Sequence, residues 1–111
     1  MHTLTVLAAA CTLLLASGVS VAQEKTKPVP KHHDYMNICL ETYGPAQSKV
    51  EMMVSLALCQ CSYEKLPSDG RMTEAQWLGA NRDCQAEAKQ APTEFTAKHA
   101  SKAMNEFGKK P

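Results

Sequence analysis

The sequence predicts an all-α fold, a compact bundle of about four short helices stapled by two disulfides. Apolar side chains recur at helical spacing in four successive segments, and no segment alternates with period two for long enough to argue a strand. Four cysteines follow an apolar leader of export type, the setting in which a disulfide framework is the default for a small chain.

Residues 1–22 read as a signal peptide. The run from Leu4 to Val21 carries no charge, and Ser20-Val21-Ala22 puts small residues at both positions that determine cleavage. A membrane anchor is disfavoured by Gly18, the serines and the small-residue ending. Lipidation is disfavoured because the apolar run continues past Cys11 through Leu13-Leu14-Leu15. Met1-His2-Thr3 departs from the usual pattern in lacking a Lys or Arg. Residues 23–33, with Pro28 and Pro30 among several lysines, read as a flexible leader, and residues 34–108 as a single domain.

The first helix is expected from Asp34 to Tyr43, where Met36, Cys39, Leu40 and Tyr43 make one stripe and Gly44-Pro45 stops it. Ser48 and Glu51 have capping-box spacing and open a central helix over 49–66, ended by Pro67-Ser68-Asp69-Gly70. Its apolar groups occupy nearly the whole circumference except Lys49, Glu51, Gln60 and Glu64, so it should be the buried centre, with helices one and three on opposite faces and helix four closing the remaining side. Thr73 and Gln76 repeat the capping spacing and open a third helix to about Lys89, with Trp77, Ala80, Asn81, Cys84 and Ala88 on one face. Trp77 is expected against helix two beside Cys84. After Ala91-Pro92 a fourth helix runs from about Thr93 to Phe107, with Ala100, Ala103, Met104 and Phe107 inward and Gly108 as its left-handed cap.

Beyond residue 22 the chain holds all twelve Lys/Arg and all eleven Asp/Glu, a near-neutral balance that argues against a nucleic-acid partner. The same stretch contains only five Leu, one Ile, three Val and two Phe, so the core is thin and needs help. That help is assigned to Cys39, Cys59, Cys61 and Cys84. Cys59 and Cys61 diverge by about 200° on a helix and cannot bond each other. Two pairings remain open: Cys39–Cys59 with Cys61–Cys84, or Cys39–Cys61 with Cys59–Cys84. Each bond is worth about 3 kcal/mol by loop closure. The spacing fits neither a Cys-x-x-Cys redox site nor a zinc site nor a haem motif.

His32, His33 and Met36 are weak candidates for a soft or borderline metal, while Met52-Met53 read as gap-filling core. Glu41, Glu64, Asp83 and His99 are dispersed acids and bases expected on solvated faces, so catalysis is not expected and no cofactor is implied. The functional expectation is a small exported protein, periplasmic or secreted, that binds another exported protein, with no stable membrane insertion after cleavage. Its most concrete form is an immunity or inhibitor protein for a cell-envelope hydrolase, and the alternative is a metal-handling or thiol-redox accessory of the same compartment.

Overall fold

The computed structural model describes residues 25–107; the expected signal peptide and the Gly108 cap lie outside them. Four helices dominate: α1 (His32–Tyr43), α2 (Lys49–Glu64), α3 (Glu74–Gln90) and α4 (Pro92–Phe107). A short antiparallel pair, β1 (Lys27–Pro28) and β2 (Arg71–Met72), joins the segment before α1 to the connection between α2 and α3.

Local chemistry sets the boundaries. α1 ends where Gly44 takes φ 82°, a conformation costly for a residue with a Cβ, and its amide reaches back to the Leu40 and Glu41 carbonyls. At α2 the Ser48 hydroxyl accepts from the Glu51 amide at 3.1 Å, while the Glu51 carboxylate accepts from the Gln47 amide at 2.7 Å, one residue earlier than a closed capping box. The box at α3 is complete: Thr73 Oγ1 accepts from the Gln76 amide and Gln76 Oε1 from the Thr73 amide. Pro92 starts α4, where its missing amide hydrogen costs nothing, and Ala91 alone separates it from α3.

α2 is the centre, touching all three other helices, but its most extensive partner is α4 rather than α1 or α3. The disulfides select the first of the two possible pairings, Cys39–Cys59 and Cys61–Cys84, with Cα separations of 5.8 and 5.9 Å. Each bond lies inside its own core cluster. Cys39 and Cys59 pack with Tyr35, Met36, Leu56 and Ala103; Cys61 and Cys84 pack with Ala57, Phe95 and Ala100. Met53 reaches both clusters.

Several expectations are corrected. Within residues 23–33, read as a flexible leader, Lys27–Pro28 form β1 and His32 and His33 are the first two residues of α1. Gly70, at φ 82°, offers its carbonyl to the Val29 amide, and the Arg71 guanidinium bonds the Thr26 carbonyl and hydroxyl. Strand pairing across 45 residues leaves no local periodic signal. Trp77 packs on the Cys39–Cys59 cluster with Tyr35 and Met36, not beside Cys84, because the turn of α3 that carries it lies toward α1. α2 is buried only in its C-terminal half: Leu56, Ala57, Cys59, Gln60, Cys61 and Ser62 are enclosed, whereas Val50 is 72% exposed and Met52 is exposed. Met52 is therefore not core. Met104 is also exposed, while Phe95 and His99 take the inward positions of α4.

If loop constraint supports this thin core, replacing both cysteines of either pair by alanine lowers the unfolding free energy by about 3 kcal/mol. Urea denaturation followed by circular dichroism checks this, and a loss below about 1 kcal/mol for either pair would contradict it.

Candidate functional site

The two ends of the bundle differ in chemistry. At the end where the chain enters, the C-terminal turns of α2 and α4 meet the first turn of α1 in a polar network centred on Gln60, which is 1% exposed. Burial of an amide is tolerable only when its hydrogen-bonding capacity is used. His32 Nε2–H donates to Gln60 Oε1 at 2.6 Å, and the Gln60 amide nitrogen donates to Glu64 at 3.3 Å and to Glu106 at 3.4 Å. Lys102 closes on Glu64. Beneath the network, Ser62 donates to the Cys59 carbonyl, which leaves its oxygen to accept from the Tyr35 hydroxyl at 2.7 Å. Burial pushes the Tyr35 hydroxyl above its ordinary range, against the hydrogen bonds of Ser62, Trp77 and Asn81.

His99 is the exception to this satisfaction. It is 7% exposed, its ring lies 4.6 Å from that of Phe95, and its buried Nδ1 has no well-aligned hydrogen bond although Glu64 Oε1 is 3.4 Å away. Short distance with poor alignment gives attraction without a directed bond. Burial lowers the His99 pKa; the Glu64 carboxylate opposes the shift and Lys98 adds to it. Partial burial pushes the Glu64 carboxyl up, but hydrogen bonds from Lys102 and Gln60 outweigh it and hold the group below its ordinary value.

Sequence reading placed His99 on a solvated face and missed this network. The available signal was paired spacing: Gln60 and Glu64 are four apart on α2, and His99, Lys102 and Glu106 form a facing stripe on α4. Glu41 and Asp83 are exposed, as expected, and belong to no such cluster.

The metal candidates take separate roles. His32 is engaged by Gln60 and lies 3.6 Å from Glu106. His33 accepts a hydrogen bond from Asn37 and its ring lies 5.1 Å from that of Phe107. Met36 is sealed in the core at 0% exposure. Among the described residues the group of metal-ligating types that closes within 4.8 Å is Cys61, Cys84 and Glu87, where the two sulfurs are already bonded to each other.

The opposite end is apolar and open. Between the N-terminal halves of α2 and α4 lies a groove of about 540 Å³, lined by Lys49, Val50, Met53, Val54, Pro92, Thr93, Thr96 and Ala97. It shares Val54, Pro92 and Thr96 with a second lobe of about 470 Å³ that adds Tyr43, Leu58, Gln85, Ala88 and Lys89. Among the described residues no carboxylate lines either lobe, and Glu51 lines an adjoining pocket that shares Tyr43, Val50, Val54 and Leu58 with them. The apolar surface here is gathered in a groove rather than scattered singly, which makes it the candidate binding surface. It exists because α2 extends two turns beyond the region that the disulfides and Phe95 enclose.

In comparisons with known proteins, no family, no curated protein and no solved structure matches this chain significantly. Among the described residues no helix is long and apolar enough to cross a membrane.

Two outcomes follow from the polar network. Gln60→Ala strands the His32 donor and removes a hydrogen bond from each of two carboxylates, so it costs about 1–3 kcal/mol in denaturant unfolding. His99 and Glu64 both titrate below their unfolded values, so the unfolded state binds more protons in each range and stability rises with pH there. Stability is complete above the ordinary imidazole value of about 6.5, falls as acidification passes through the His99 range, and falls again below the ordinary carboxyl value of about 4.5. His99→Gln removes the first decline in a series of melting temperatures against pH and leaves the second; an unchanged profile would refute the assignment.

Proposed function

We propose that the protein acts by binding another protein through the apolar groove between α2 and α4, in an oxidising compartment outside the cytoplasm. The observation that carries this reading is a continuous apolar groove that no part of the described chain covers, built on a frame held by two buried disulfides. A frame fixed in advance loses little conformational entropy on docking, and two disulfides fit oxidising surroundings better than the reducing cytosol. The most specific form is an immunity or inhibitor protein that occupies a cell-envelope hydrolase, with the groove and its rim as the docking face. Export through the apolar leader of residues 1–22 belongs to the same proposal.

Metal handling through His32, His33 and Met36, or redox chemistry at a labile disulfide, draws less support. Met36 has no solvent access, and Cys59, Cys61 and Cys84 are almost fully buried. Catalysis draws less still, because Glu64 and His32 are engaged by neighbours that hold the fold together and His99 is buried against Phe95.

Oxidised protein immobilised and exposed to envelope extract should retain one stoichiometric protein. Val54→Asp, at the junction of the two lobes, should abolish retention while leaving the melting temperature within about 3 °C of the parent, as befits a partly exposed position. Retention that survives Val54→Asp, or that persists after reduction and alkylation, would move the binding surface elsewhere. Addition of the bait to the retained protein's own activity assay separates an inhibitor from an adaptor.

A further inference from the structure

The groove carries a charge asymmetry that specifies its occupant beyond "a protein". Each lobe contributes one cation, Lys49 to the first and Lys89 to the second, and neither lobe contributes an anion. Among the described residues the paired lysines are Lys65, with Glu87, and Lys102, with Glu64; Lys49 and Lys89 have no carboxylate within 4.0 Å. Lys49 is also placed against its own helix. It is the first residue of α2, where the positive end of the helix dipole disfavours a cation. The nearest acid in sequence, Glu51, lines an adjoining pocket with Val50, Val54 and Leu58, but its carboxylate accepts from the Gln47 amide and makes no ion pair with Lys49. An incoming carboxylate would supply what Lys49 lacks.

We propose, resting on the protein-binding reading above, that the occupant is an amphipathic helix of the partner protein. Its apolar stripe would lie along Val50, Val54 and Leu58, and its Asp or Glu side chains flanking the stripe would meet Lys49 and Lys89. The two lobes are open rather than enclosed and run together across Val54, so they suit a helix laid along a groove better than a small ligand, which needs burial on most sides. Two cations, Lys49 and Lys89, against the one carboxylate of Glu51 give the occupant its selectivity, and the apolar floor gives most of its affinity. Ion pairs at such a rim are screened by salt, so the preference for an acidic occupant weakens as ionic strength rises.

The test uses the oxidised protein and two fluorescent helical peptides with one apolar stripe, flanked by Glu in the first and Lys in the second, read by anisotropy. The Glu-flanked peptide binds one to one and on the order of ten-fold tighter than its Lys-flanked counterpart at low salt. The double variant Lys49→Glu with Lys89→Glu reverses the preference, and Val54→Asp abolishes binding of both peptides with the circular dichroism spectrum preserved. Equal affinities, preference for the Lys-flanked peptide, or no binding of either overturns the acidic-helix proposal. So does concentration-dependent dimerisation in sedimentation that Val54→Asp abolishes, since the groove would then be occupied by a second copy. Failure here alongside Val54-dependent retention of a protein from extract leaves the wider binding reading standing; loss of both overturns the two together.

Discussion

Two cysteines separated by one residue on a helix cannot face the same way, and most of this architecture follows from that constraint. Cys59 and Cys61 leave α2 about 200° apart. Bonds to Cys39 and Cys84 therefore place α1 and α3 on opposite flanks of α2. The third side of α2 is left for α4, and α4 takes it with small inward residues, Ala100 and Ala103, and one large one, Phe95. Core and covalent frame thus coincide: each apolar cluster is assembled around one disulfide. In a chain this short, two constraints of about 3 kcal/mol each are comparable with the whole net stability of an ordinary domain, about 5–15 kcal/mol.

Elements governed by local chemistry were legible in the sequence. Apolar spacing, Ser48 and Thr73 at helix starts and Gly44 at a helix end place all four helices to within about two residues. The cysteine spacing excluded one pairing but not the other, because both remaining patterns close loops of similar size; only the packing of α1 chooses between them. What depends on distant partners was not legible. Gln60 looks like a solvated polar position on α2 until His32 and Glu106 converge on it from two other helices. His99 looks exposed until Phe95 and Glu64 enclose it. Neither Trp77's choice of cluster nor the pairing of Lys27–Pro28 with Arg71–Met72 has a sequence-local cause. The groove was obscured for a related reason: a helix apolar on nearly every side reads as fully enclosed, whereas the N-terminal turns of α2 are flanked by α4 without being covered by it.

The bundle divides its labour along its length. One end concentrates directed bonds, in which a buried amide joins an imidazole and two carboxylates and fixes the C-terminal turns of α2 and α4 against the start of α1. The other end has few directed bonds and much apolar surface. Polar networks specify one arrangement, so the end rich in directed bonds fixes the frame on which the exposed apolar groove is built. α2 runs through both, which couples the geometry of the groove to the integrity of the disulfides and the Gln60 network.

The β1–β2 pair and the contact between His33 and Phe107 bring the entry of the folded chain and the close of α4 to the same end of the bundle, away from the groove. The domain is therefore built like a plug on a stem. A partner joined at that end would leave the groove facing outward. Displayed on a surface or carried in tandem, the unit would present its apolar face freely.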